Sequence, residues 1–317
     1  MTESPLARIV EITENGRHLS KDRGFLTVDA DGQEIGRVPL DDLGAVIATA
    51  PGTTVSCALI AELAARGLPL VLCGRNFTPV AIVWPIAGHH AQQRRMESQI
   101  DAPPALRQKL WAAIVAAKVR AQGAALATLG RRAGAFDRLA RSVDAGDPTN
   151  IEARAARRYW PLMMGAAFRR DTDGDGVNAM LNYGYAVLRA GTARAIVAAG
   201  LHPGIGIFHR HPANAMPLAD DLMEPFRPWV DVAVHALVAE GRTTVDPPVK
   251  TTLAAILAKD LRSAAGRTPI STGMIGLAQS LSASFVAQSP RLDLPIHGDP
   301  FGDRYDPDDG DPDHASP

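Results

Sequence analysis

The chain has 317 residues, a formal net charge of −1 and two cysteines. That length allows two domains with cores of their own. No run of 18 uncharged apolar residues is present and the opening MTESPLARIV has no apolar core, so neither a membrane span nor a signal peptide is expected, and a cytoplasmic protein is. Cys57 and Cys73 form no metal-ligand pattern and read as small buried hydrophobes.

Residues 6–50 alternate and turn like β-structure. Asn15-Gly16 after ARIVEIT and Asp31-Gly32 after FLTVDA are both hairpin turn signals. VSCALIAELAARG has helical spacing and stops at Gly67, and LPLVLCG and TPVAIVWP read as two further strands. These elements make a β-rich N-terminal domain with one helix over residues 1–86. A polar, partly helical linker follows at 87–104, where His89 and His90 are expected to be exposed.

Beyond Pro104 the character changes. An Ala-rich helix begins with LRQKLWAAIVAAKVRAQ, and helical patterns continue at 123–143, 150–168, 174–199, 217–240, 249–264 and 272–287. The expected fold class is α+β: the small β-rich domain followed by a larger all-α catalytic domain at 105–290. Residues 291–317 form an acidic tail with eight Asp and two Arg, rich in Asp, Pro and Gly, and it is expected to be disordered. The tail hides a basic body: residues 1–290 sum to +5, and 101–170 alone carry 13 Lys/Arg against five Asp/Glu. Such a bias fits nucleic acid, although solvated helix faces would produce it too.

The chemistry concentrates between His202 and Asp231. Asp220, Asp221 and Glu224 lie at a helix start, and the spacing of Asp221 and Glu224 puts them on one helical face. Carboxylates facing an imidazole suit a hard divalent ion, Mg²⁺ or Mn²⁺. Spacing alone does not choose between His209 and His211, with His202 a third candidate. Arg227, one turn beyond Glu224, adds anion-binding charge. Glu152 opens another helix, capped by Thr149 or Asn150, and alone reads as a first-turn acid that complements the helix dipole.

DTDGDGVNAMLN at 171–182 has the Asp and Gly spacing of a calcium loop, but its twelfth position is Asn182 where a bidentate Glu is required. The better reading is a turn whose Asp residues cap the next helix. On that helix Asn178, Asn182 and Tyr183 form a polar cluster, either a buried hydrogen-bond network or a binding face.

Taken together, EARAARRYW at 152–160, NAMLNYGY at 178–185, AGLHPGIGIFHR at 199–210 and LADDLMEPFRPWVD at 218–231 resemble the CRISPR-associated integrase of spacer acquisition, the first Cas protein, in its type II branch. LWAAIVAAKVRAQ at 110–122 is similar to a helix of that family. The resemblance implies a metal-dependent DNA integrase or endonuclease that inserts protospacer DNA into the repeat array by 3′-OH transesterification. It implies Glu152, His209 and Glu224 as ligands of Mg²⁺ or Mn²⁺, with Asp221 a further catalytic carboxylate. Arg154, Arg157, Arg158 and Arg227 would bind DNA, and Asn178, Asn182 and Tyr183 would contact DNA or support the ligands. Ala153 stands where much of the family has Gly. The implied partners are double-stranded DNA, a second copy of the chain and the second Cas protein, with no membrane. The rival readings are a structure-specific metal-dependent DNA nuclease that integrates nothing, and a non-catalytic scaffold.

Overall fold

The computed structural model describes residues 8–68, 70–74, 79–83, 92–263 and 266–296. His89, His90 and the tail from 297 lie outside the described residues.

The N-terminal strands form two sheets. Strands β2 (Arg17–Asp22), β3 (Phe25–Ala30), β4 (Gln33–Pro39) and the short β6 (Thr54–Val55) order as β4-β3-β2-β6. Strands β1 (Arg8–Ile12), β5 (Leu43–Ala48), β7 (Leu70–Cys73) and β8 (Pro79–Val83) order as β1-β5-β7-β8. Helix α1 (Cys57–Ala65) is capped by Ser56 Oγ, which accepts from Leu59 N, and ends before Gly67 at φ +65°.

The two turn signals part company. Asp31-Gly32, both at positive φ, closes the β3–β4 hairpin as expected. Asn15-Gly16 closes none, because β1 pairs with β5 and β2 with β3. Its turn is held instead by Asn15 Oδ1, which accepts from Gly52 N at 2.8 Å, and it carries the chain from one sheet to the other. The β2–β3 hairpin turns at Arg23-Gly24, also both at positive φ.

Alternation along a strand explains how the two parts of the chain join. Val46 and Leu70 face a small N-terminal core with Leu19, Leu26, Leu59 and Leu63. Their neighbours Ile47 and Val71 face the opposite way, into the main helical core. The sheet β1-β5-β7-β8 is therefore apolar on both faces.

The helical part contains α2 (Gln92–Ile100), α3 (Pro104–Thr128), α4 (Gly134–Arg141), α5 (Ile151–Met164), α6 (Val177–Ala198), α7 (Pro217–Met223), α8 (Arg227–Ala239), α9 (Pro247–Ala254) and α10 (Ile270–Ala287). Helices α3 and α10 are long and apolar enough to cross a membrane by length and composition alone, and both line the main core.

Two expectations are corrected here. The single helix over 217–240 is broken by a 3-10 turn at Glu224–Phe226, with Pro225 and Pro228 opening successive helical segments where a missing N–H costs little. The helix expected to reach 264 ends early, and β9 (Asp260–Ser263) pairs with β10 (Gly266–Pro269) in an antiparallel ribbon that buries Leu261. The part expected to be all-α thus carries a two-stranded ribbon.

The tail expected to be disordered from residue 291 is packed where it begins, because it carries two leucines that the core accepts. Ser284 Oγ accepts from Arg291 N, and Leu292 and Leu294 lie against the core. Cys57 is exposed and not buried, because position 57 falls on the solvent face of α1's first turn; Cys73 is half-buried.

Candidate metal centre and nucleic-acid interface

Glu152 is fixed by the way α5 begins. Asn150, in the left-handed region at φ +52°, accepts from Ala153 N through its side chain. Asp147 adds a second cap: Oδ1 accepts from Ile151 N at 2.7 Å and Oδ2 from Glu152 N at 3.0 Å. The buried stripe of α5 is Ile151, Ala155, Tyr159 and Met163, at helical spacing. Glu152 borders that stripe, while Arg154, Arg157 and Arg158 are exposed.

Glu224 reaches the same place from the 3-10 turn between α7 and α8. Its side chain is only 4 % exposed. What joins the two carboxylates is Lys118, from the middle of α3. Lys118 Nζ lies 2.7 Å from Glu152 Oε1 and 2.6 Å from Glu224 Oε2. Arg227 Nε stands 3.0 Å from the other Glu224 oxygen, Oε1. Burial disfavours the Lys118 ammonium, but the charges of Glu224 and Glu152 outweigh it and raise the pKa above the ordinary lysine value. Burial likewise opposes the Glu224 carboxylate, and Arg227 and Lys118 reverse that effect and hold its pKa below the usual value.

His209 sits on a loop locked from three sides. Asp221, fully buried in α7, accepts from Ile207 N at 2.6 Å, Phe208 N at 3.0 Å and His209 N at 3.2 Å. Its Oδ1 also lies 2.7 Å from His209 Nδ1. Assigned as Nδ1–H donating to the carboxylate, this bond leaves Nε2 as the ring nitrogen available to a ligand. The hydrogen bond to Asp221 raises the His209 pKa; burial opposes it, and the charges of Asp221, Glu224 and Glu152 add to the rise. Gly206 is obligatory in this loop, since a Cβ there would stand 2.4 Å from His209 O.

The other two locks come from the segment expected to be a linker and from the start of α3. Gln99 in α2, completely buried, donates to His202 O and Ile205 O and accepts from His202 N. Arg107 in α3 donates to Gly206 O at 2.7 Å and to Gln99 O at 2.6 Å. Trp111, one turn further on, stacks on Phe208 at 4.4 Å between ring centroids and meets His209 edge-on at 5.6 Å.

The structure joins Glu152 and Glu224 through Lys118, and the charges of both glutamates reach His209 and add to the rise in its pKa. Asp221 joins this group through His209. The hydrogen bonds of its carboxylate go to residues 207–209, so Asp221 fixes the His209 ring. The shared helical face expected for Asp221 and Glu224 is lost where the helix tightens between them. His211 is exposed, and its Nδ1 accepts from Ala213 N within its own turn.

Arg227 is paired with Glu224, its guanidinium lies 4.6 Å from the Tyr185 ring centroid, and 27 % of its side chain is exposed. Three further expectations change. Tyr183 is 2 % exposed, and its hydroxyl donates to Glu11 on β1; it joins helix to sheet and cannot touch DNA. Asn178 and Asn182 are occupied by the 169–172 loop. Asn178 Oδ1 accepts from Asp171 N and Arg170, and Asn182 accepts from Arg170 at 2.5 Å while donating to Thr172 O. The Asp residues of that loop do not cap α6, whose N-cap is Gly176 with no side-chain bond.

Beneath the cluster lies buried Asp231, which accepts from Tyr159 at 2.8 Å and Tyr185 at 2.5 Å. Burial pushes its carboxyl up to about 6, against the pull of the two tyrosine bonds. This network ties α5, α6 and α8 together under Glu224 and Arg227.

A hard divalent ion fits the donor set of two carboxylates and one imidazole. The carboxylates already converge on one cation, the Lys118 ammonium. Among the described residues no three His, Cys, Asp or Glu side chains could hold a metal ion as they stand, and Lys118 lies between Glu152 and Glu224.

With this geometry in view, comparison with known proteins is decisive. The family profile described as CRISPR associated protein Cas1 matches residues 10–265. The chain belongs to the Cas1 family. It is 36 % identical over 233 residues to the CRISPR-associated endonuclease Cas1 of Neisseria meningitidis serogroup C, covering 73 % of this chain and 76 % of that one. In fold it is similar to a casposase bound to integration product, with a TM-score of 0.76 over 90 % of this chain and 93 % of that one, at 19 % identity. It is also similar to a chain of a Cas6-RT-Cas1–Cas2 complex, with a TM-score of 0.70 at 19 % identity, covering 91 % of this chain and 36 % of that longer one. The resemblance to the first Cas protein and the α+β class both stand.

Proposed function

We propose that this Cas1 family member is a metal-dependent DNA integrase and endonuclease of CRISPR adaptation, acting on protospacer and repeat DNA. One observation carries the reading: Glu152 and Glu224, far apart in sequence, hold one cation between them beside a histidine fixed by a buried aspartate. The relatives support the reaction class, since one carries the name endonuclease and another was solved on an integration product.

Glu152, Glu224 and Nε2 of His209 would hold Mg²⁺ or Mn²⁺. Such an ion, when bound, lowers the pKa of an attacking hydroxyl and neutralises charge on the phosphoryl oxygens. Asp221 keeps the His209 ring in one tautomer and one orientation. Arg154, Arg157 and Arg158, exposed on α5 beside Glu152, supply forked donors for the DNA phosphates. In strand joining, the 3′-oxygen of the incoming DNA bonds to a repeat phosphorus as the bond from that phosphorus to its old 3′-oxygen breaks. The proton lost by the attacking hydroxyl is matched by one gained at the leaving oxygen. A second copy, docked through the N-terminal sheets, and the second Cas protein complete the assembly in this reading. Exposed Ile35 on β4 and Val80 on β8 place apolar side chains at sheet edges.

The test compares a free 3′-OH donor with a 3′-blocked donor on repeat DNA, in Mn²⁺ and in chelator. Joined product only with the free hydroxyl and the ion supports integration. Cleavage that ignores the block indicates a nuclease without integration, and an identical outcome in chelator removes the metal from the account.

A further inference from the structure

Lys118 is the residue that the sequence did not announce. It stands on a helix whose neighbouring positions Ile114, Val115, Ala121 and Gln122 are all buried, and its own side chain is 12 % exposed. Lysine is seldom placed so deep unless paired, since desolvating an ammonium is costly. Here it is paired twice, with one oxygen of Glu152 and one of Glu224, and the second Glu224 oxygen faces Arg227. Two carboxylates and two cations make this group neutral. Without Lys118, buried Glu224 and half-buried Glu152 would face one another with Arg227 alone to balance them. An exposed ion pair would matter little, but with side chains 12 %, 24 % and 4 % exposed the contacts are poorly screened.

We propose that Lys118 is the resident cation of this site: its ammonium holds Glu152 and Glu224 together before a divalent ion arrives, and it must give up those oxygens when the ion binds. The inference rests on the metal reading given above. Lys118 is on this account a positioning residue, and it sets metal affinity by competition. The assembled cluster needs no ion to keep its carboxylates convergent, and each ion that binds displaces an ammonium from them.

The test uses the full chain and reads binding as well as activity. Lys118→Met keeps the length of the side chain and removes its charge. Calorimetric titration with Mn²⁺ should give a Kd at least about tenfold tighter than wild type, because a like charge close to the ion is gone. In chelator the variant should melt below wild type, and Mn²⁺ should raise its Tm by more. An unchanged or weaker Mn²⁺ affinity in a folded variant overturns the proposal. If Lys118→Met does not fold, the wild-type protein decides: the ¹⁵Nζ resonance of Lys118, assigned by its loss in Lys118→Arg, should shift on titration with Mg²⁺. A resonance that ignores saturating Mg²⁺ overturns the proposal equally. Absence of Mn²⁺ binding by wild type and variant alike removes the metal reading itself, whereas equal affinities remove only the role of Lys118.

Discussion

Two acidic regions of this chain look like ion sites in the sequence, and the fold treats them in opposite ways. The 171–175 loop keeps its three Asp residues side by side, exposed, and ties itself down with neutral amides from Asn178 and Asn182. The second region takes Glu152 from α5 and Glu224 from the α7–α8 junction, buries the second and half-buries the first, and sets a lysine between them. Contiguous carboxylates can relax into water, where each stays hydrated. Carboxylates drawn together from distant segments into a poorly hydrated place must find a cation, and that requirement makes the second region the chemical one.

The comparison breaks first at Glu152. Glu152→Ala should lower strand joining by ~100-fold or more, the scale on which single charge-stabilising groups act, with the thermal melt cooperative as in wild type. Joining at the normal rate would return the second region to a structural ion cluster. Stability at Asp231 sharpens the picture of what lies beneath. Burial raises its carboxyl from 3.8 to about 6, so the folded chain holds that proton more tightly than the unfolded chain. The resulting stabilisation is complete below the unfolded value and is lost as pH rises through about 6. Relative to Asp231→Asn, wild type should therefore lose roughly 3 kcal/mol between about pH 4 and pH 7 in denaturant titrations. A flat difference would mean that the carboxyl is not desolvated.

Asp221→Asn should cost ~10–100-fold in joining, as loss of a group that orients a ligating histidine does. The variant disturbs the His209 ring without removing a proposed ligand, so a loss as large as that of Glu152→Ala would put Asp221 among the ligands. The smallest effect belongs to the other region. Asp173→Asn combined with Asp175→Asn should leave Mn²⁺ affinity unchanged and stability within about 0.5 kcal/mol. A clear fall in Ca²⁺ or Mn²⁺ binding would restore the calcium-loop reading.

Much of this contrast could be read from the sequence, and the unread part has a physical cause. The missing twelfth-position carboxylate at Asn182 discounted the calcium loop, and the Asp31-Gly32 turn, helix α1 and the long Ala-rich α3 follow local rules. Asn15-Gly16 obeys the same local rules, yet its hairpin does not form. Strand pairing is decided by which faces are buried, and β1 finds its partner more than 30 residues away, in β5. Glu152, His209 and Glu224 could be named because they sit in distinctive words. Lys118, Gln99 and Arg107 could not. Each acts on a residue more than 30 positions distant, which no local pattern reports. The one available signal was Lys118 itself, a lone charge among Ile114, Val115, Ala116 and Ala117. Tyr183 was misjudged for the converse reason: residue type suggested DNA, and burial gave it to the interior.

The central claim is that Glu152, Glu224 and His209 share one divalent ion. Anomalous diffraction from crystals of the full chain soaked in Mn²⁺ tests it most directly. The account predicts a single strong peak within bonding distance of the two carboxylates and His209 Nε2, with the Lys118 ammonium moved off them. No peak at saturating Mn²⁺, or a peak elsewhere with Lys118 still bridging Glu152 and Glu224, would contradict it.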